Sequence, residues 1–211
     1  MNIFIGIDPS INSTGITIQK FNNDKLVNQK FYIIKPNKLT KKEEKVCIKN
    51  FEYIIYEKFD TSQYKDTHLT EYYKTLSLIN ISNAILELIN KYPHTKEDTI
   101  IIVMEGISYG SVSKTKSIYD LAGLNYLIRY NIISHINKNE HIKLIICPPS
   151  EIKKFASGKG NSTKDILIEA FLILYSQFSI ISKIDDLVDS YFMCQYGKEI
   201  YLRNFTSNAI N

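Results

Sequence analysis

The sequence predicts an α/β protein with a mixed five-stranded sheet at its centre, three antiparallel strands followed by two parallel ones, flanked by helices. Three observations predict it. Short apolar runs, rich in β-branched residues, stand at 3 to 7, 99 to 104 and 142 to 147, each stopped by an acid or a turn residue. Longer segments with Leu and Ile at helical spacing alternate with them. The order of strands, helix, strand, helix, strand, then helices is that of folds in which helices cover a central sheet.

Residues 3 to 7, Ile-Phe-Ile-Gly-Ile, end at Asp8-Pro9-Ser10, as a buried strand ending in a turn does. The pattern resumes over 15 to 18 and over 30 to 34 before Pro36, which suggests an antiparallel meander. Residues 38 to 73 crowd Lys41, Lys42, Glu43, Glu44 and Lys45 together and keep poor periodicity, so they read as an insertion, partly helical. Leu78, Ile81, Ile85, Leu88 and Ile89 mark a helix over 76 to 89 that ends before Pro93. Residues 99 to 104 suit a central strand covered on both faces, and they run straight into Glu105. A second major helix spans 114 to 136 on Leu121, Leu124, Leu127 and Ile128. The strand over 142 to 147 stops at Pro148-Pro149, where Ser150 with Glu151 can cap a short helix. Thr163-Lys164-Asp165 opens a helix to Tyr175, and a last helix opens at Ile184 or Asp185 and reaches about Gly197.

A chain of 211 residues, 44% hydrophobic and 23% charged, can bury a sizeable core as one domain, residues 1 to 211, with its insertion at about 38 to 73. No window reaches the roughly 18 uninterrupted apolar residues of a membrane span. The N-terminus lacks a basic segment and a small-residue cleavage site, so a cytoplasmic location, or the host-cell or nucleoid compartment where DNA is processed, is expected. Cys47, Cys147 and Cys194 are too few and too scattered for a disulfide framework and read as buried thiols. The four histidines show no zinc spacing, so any metal here needs oxygen ligands. Net charge is +4; with four acids set aside as metal ligands, 26 basic against 18 acidic residues leave +8, a field that steers a polyanion. The same charge suits a merely soluble basic protein.

Acids interrupt the apolar strands at two places. Asp8 follows Ile-Gly-Ile and Glu105 follows Ile-Ile-Val-Met, each at the carboxyl end of a predicted strand, where ligands gather in open α/β sheets. A buried carboxylate needs a partner, and a divalent cation is one; a solvated turn is the alternative. Asp186 and Asp189 lie one turn apart on a helix whose other face, Leu187, Val188, Tyr191 and Phe192, is apolar. Acids in a first helical turn also complement the helix dipole, but that does not account for the strand-end pair.

Four blocks in this order resemble the RuvC-type Holliday junction resolvases of the RNase H-like superfamily, possibly a viral or phage member. Ile-Gly-Ile-Asp-Pro-Ser-Ile-Asn-Ser-Thr-Gly (5 to 15) is similar to their first strand motif, Val-Met-Glu-Gly (103 to 106) to their second acidic strand end, and Asp-Leu-Val-Asp (186 to 189) to their C-terminal acidic helix. The stretch from Lys153 to Lys164, with Gly158-Lys159-Gly160, resembles the basic segment that faces DNA in that family. The resemblance implies an RNase H-like fold and a two-metal site, Mg2+ with Mn2+ able to substitute, in which Asp8, Glu105, Asp186 and Asp189 are the catalytic metal ligands. It implies cleavage of four-way DNA junctions by a homodimer, whose interface the 114 to 136 helix is expected to supply, with no membrane partner. Lys153, Lys154, Gly158, Lys159, Gly160 and Lys164 would contact DNA, Lys164 nearest the metals. Asp185 would turn about 100° away from Asp186, as a capping or supporting residue. Tyr109 could stack on an unpaired base, although the family's aromatic falls one position earlier, where this chain has Ser108, and a packed or exposed tyrosine fits equally.

Related readings are an RNA-processing relative of the YqgF type, a nuclease of broader branched DNA or structured RNA, and a non-cleaving junction-binding protein. The first strand motif also occurs in actin-like ATPases and sugar kinases, but this chain is too short for their two domains and lacks their second glycine-rich loop.

Overall fold

The computed structural model describes residues 1–92, 95, 97–107, 117–136 and 142–208. Six strands, Asn2–Asp8 (β1), Thr14–Asn22 (β2), Lys25–Pro36 (β3), Phe51–Tyr56 (β4), Thr99–Glu105 (β5) and Ile142–Cys147 (β6), form one sheet in the order β4-β3-β2-β1-β5-β6. β1, β2 and β3 pair antiparallel, while β5 joins β1 and β6 joins β5 in parallel. The sixth strand corrects the expected five. β4 lies inside the polar insertion, pairs parallel to β3, and was hidden by the lysine-rich residues around it.

Helices cover both faces. Thr67–Lys91 (α1) and Ser117–Ile136 (α2) enclose one core with Ile3, Ile5, Ile7, Ile16 and Ile18. Pro149–Ser157 (α3), Lys164–Leu174 (α4) and Ile184–Asn208 (α5) enclose the other with Phe4, Phe31, Ile33 and Val103. The two-residue period of β1 divides these roles: the odd isoleucines face α1 and α2, so Phe4, Gly6 and Asp8 face α5.

Other boundaries shift for identifiable reasons. α1 begins at Thr67 rather than 76, because the Asp66 carboxylate accepts from the backbone N–H of His68 at 2.7 Å and caps the helix there. Ser150 lies within α3 and Pro148 precedes the helix without a side-chain cap. α5 continues past Gly197 to Asn208. Residues 114 to 116, expected to begin α2, lie outside the described residues. Cys147 and Cys194 are buried as expected, but Cys47 is exposed. Among the described residues, no helix is long and apolar enough to cross a membrane.

Candidate active site

β1 and β5 run side by side with Ile7 opposite Met104, and the next residue on each strand is an acid. Parallel pairing therefore sets Asp8 and Glu105 together at the carboxyl edge of the sheet, on the face that α5 covers. The first turns of α5 cross β1 and β2 at close range. There Thr17 Oγ1 and Ser190 Oγ share a buried hydrogen bond of 2.9 Å, and the Cys194 thiol donates to the Phe4 carbonyl at 3.2 Å. Leu187 and Val188 are buried beneath the helix, which turns Asp186 and Asp189 toward the strand ends.

All four acids line one cavity of about 230 Å³, together with Ser10, Lys153 and Lys164 and the apolar wall of Pro149, Ile152 and Met193. Asp8 is the most enclosed, 7% exposed. Burial, then the charges of Glu105, Asp189 and Asp186, push its carboxyl well above the ordinary range. Burial also raises Glu105, and the neighbouring Asp8 carboxyl and the charges of Lys164 and Lys153 partly offset this. Asp186 and Asp189 are each pushed up to about 6, again chiefly by burial. Ser13, buried beside Asp186, works against that rise.

Four desolvated carboxylates facing one cavity cannot all ionise without added positive charge. Lys164 supplies some: its Nζ lies 2.9 Å from Asp185 Oδ2 and 3.8 Å from Asp189 Oδ2. Burial disfavours charge on Asp185, but the bond from Lys164 holds its carboxyl below the usual value, so Asp185 positions the lysine. As they stand, no three of the described His, Cys, Asp and Glu side chains are gathered tightly enough to hold an ion. The donor set nonetheless suits a hard divalent cation: oxygen only, anionic, and spread around a space that an ion could draw together.

The basic segment lies beside this cavity, with Lys153 and Lys164 in its wall and Lys154 and Lys159 exposed further out. Gly158 ends α3 at φ +80°, a left-handed cap that glycine adopts without strain. The turn after it is tied by serines: Ser157 Oγ and Ser162 Oγ lie 2.5 Å apart, and Ser162 Oγ donates to the Lys159 carbonyl at 2.9 Å. Gly160 packs against the Ser150 carbonyl. Tyr109 lies outside the described residues.

Asn125 is a residue that sequence reasoning passed over. Buried on α2, it donates from Nδ2 to the Glu105 carbonyl at 2.8 Å and fixes the end of β5. The signal was an amide next to Leu124 on the apolar stripe of that helix.

No family model and no curated protein matches the chain. Solved structures do. Thermus thermophilus RuvC superposes at a TM-score of 0.52 and 11% identity, over 91% of this chain and 90% of that one. T. thermophilus RuvC in complex with Holliday junction substrate gives 0.51 and 10%, with the same coverage. The yeast mitochondrial Holliday junction resolvase Ydc2 gives 0.50 and 18%, over 97% of this chain and 82% of its own. The chain therefore has the RNase H-like fold of the RuvC-type resolvases.

Proposed function

We propose that the protein is a divalent-metal-dependent endonuclease that cuts four-way DNA junctions. One observation carries this reading: Asp8, Glu105, Asp186 and Asp189, from β1, β5 and α5, line one cavity whose basic wall is Lys153 and Lys164. The same fold in proteins solved as junction resolvases supports the choice of substrate.

In this reading Asp8, Glu105, Asp186 and Asp189 would hold Mg2+, as two ions, for which Mn2+ would substitute. Bound there, the metal would supply activation of a water and charge stabilisation of the leaving oxygen of a phosphodiester. The protein's part is positioning. The sheet fixes Asp8 and Glu105, and α5 brings the aspartate pair to them. Lys153 and Lys164 place the scissile phosphate, while Pro149, Ile152 and Met193 limit water around it. Lys154, Lys159 and the Gly158–Gly160 backbone take the phosphates beyond.

Symmetric cuts in a four-way junction need two sites, so the active form is a homodimer. Tyr119, Tyr126, Tyr130 and Ile133 form an exposed apolar stripe on α2 that supports an interface there. The test is cleavage of a synthetic four-way junction with Mg2+, beside three-way, flap and linear duplexes and structured RNA. Preferential nicking of the junction, lost in Asp8→Asn, is expected; equal nicking by both proteins overturns the reading.

A further inference from the structure

The insertion between β3 and α1 is fastened beside two of the three elements that carry the acids, β1 and α5. At its start, Glu43 is buried, 3% exposed. Its carboxylate accepts from Lys35 Nζ, from Thr40 N and Thr40 Oγ1, each at 2.9 Å, and from Ser182 Oγ at 2.8 Å. Ser182 stands only four residues before Asp186. Further along, Tyr56 donates through its hydroxyl to the Ile11 carbonyl, and Lys58 Nζ donates to Asn12 Oδ1 at 2.7 Å, on the turn that follows Asp8. β3 and β4 are parallel to β1, so the segments leaving both emerge at the same edge of the sheet as the acids.

Fastening a turn by burying its glutamate sends the neighbouring side chains outward. Lys41, Lys42 and Lys45 are exposed, and none is ion-paired among the described residues. Glu44 is the one exposed acid among them, so the turn stays basic. A lone solvated lysine run would not need a buried carboxylate holding it against the start of α5.

We propose that the Thr40–Lys45 turn is a second phosphate-binding element, along which one DNA arm leaves the acidic cavity, with Lys41, Lys42 and Lys45 on its backbone. This rests on the junction-nuclease reading and extends it to a part of the chain that the sequence blocks do not cover. Each strand of a duplex arm carries one phosphate per about 3.4 Å of helix axis, so a strand cut in the cavity would carry further phosphates past the start of α5. Lysines there act as point charges on the backbone, adding affinity without sequence preference.

The experiment measures equilibrium binding of a four-way junction across a salt series with Mg2+, in an Asp8→Asn background, while junction cleavage is assayed in the otherwise unaltered protein. K41Q/K42Q is compared with K25Q/K91Q, which removes two charges at the opposite edge of the sheet. The expected result for K41Q/K42Q is a log Kd against log salt slope shallower by about 2, and a Kd raised at least about tenfold at 0.1 M salt. K25Q/K91Q should bind like the parent. Cleavage by the unaltered protein with K41Q/K42Q binding like the parent, or with both pairs weakened alike, overturns the inference and leaves the nuclease reading standing. Failure of the unaltered protein to cut any junction removes that reading and the inference together.

Discussion

A β-carbon on Gly15 would lie 2.0 Å from the carbonyl oxygen of Asp186. One on Gly6 would lie 1.9 Å from that of Ser190. These absent side chains set the height of α5 above β1 and β2, and thereby the distance from the aspartate pair to Asp8. Gly15→Ala should lift the start of α5 and cost about 3 kcal/mol or more, since the clash is with backbone. For a chain of this length that is a fall in Tm of roughly 6–12 °C. Junction cleavage should fall about a hundredfold, because catalytic groups displaced by an ångström lose that much. Thermal melts and cleavage rates check this; a Gly15→Ala protein with ordinary Tm and rate would mean that the helix sits elsewhere.

On the proposed reading, the raised carboxyls would make metal binding compete with protons. Asp186 and Asp189, pushed to about 6 in the folded chain, bind more protons there than when unfolded. Metal-free stability should therefore fall as pH rises from about 4 through 6 and level off above. Added Mg2+ should raise Tm little at pH 5 and more at pH 7.5, and Asp189→Asn should remove most of that difference. Calorimetry with and without EDTA measures it, and a gain independent of pH would count against the cluster as a cation site.

The sequence revealed those parts of the site whose residues contradict their surroundings. Asp8 and Glu105 stand out because each ends an apolar run, and their pairing follows from two parallel strands in register. Asp186 and Asp189 stand out by helical spacing against a buried face. β4 was not legible because its Phe-Glu-Tyr-Ile-Ile-Tyr is only half buried at a sheet edge and lies between lysine-rich segments. Glu43 was unreadable for a different reason: within Lys-Lys-Glu-Glu-Lys nothing local separates the buried glutamate from the exposed one. Its partners Lys35 and Ser182 come from other elements.

Glu43 should govern the acid limb of stability. Burial works against its charge, but bonds from Lys35, Thr40 and Ser182 hold it down at about 2. Asp98, bonded to the Thr95 backbone, the N-terminal ammonium and Lys20, is held at about 2 as well. A depressed carboxyl adds stability that is present above its unfolded value and lost as pH falls through the folded one, here between about pH 4.5 and 2. Glu43→Gln should cost about 3 kcal/mol at pH 7, because it leaves Lys35 without its partner, and should flatten the decline below pH 4.5. Urea titrations at pH 7 and pH 3 test this; parallel losses in both proteins would refute it.

Self-association is expected through α2. Ile133→Glu, on the exposed stripe with Tyr126 and Tyr130, should shift the protein toward monomer at micromolar concentration with little change in Tm. Light scattering reads the mass directly, and a monomeric unaltered protein would exclude the dimer.

Lys164 separates a stabilising role from a functional one. Its ammonium spans Asp185 and Asp189, yet its side chain is 55% exposed, so the pair is screened and adds little to folding. If the lysine instead places the phosphate, Lys164→Gln should leave Tm within about 2 °C while junction cleavage falls about a hundredfold, the scale of one lost charge contact in a transition state. Lys154→Gln, further from the carboxylates, should weaken binding a few-fold and leave the saturated rate nearly intact. Single-turnover kinetics at saturating junction distinguish the two lysines. A Lys164→Gln protein that cuts at the ordinary rate, or equal losses in both variants, would show that the lysine serves only to neutralise the aspartates beside it.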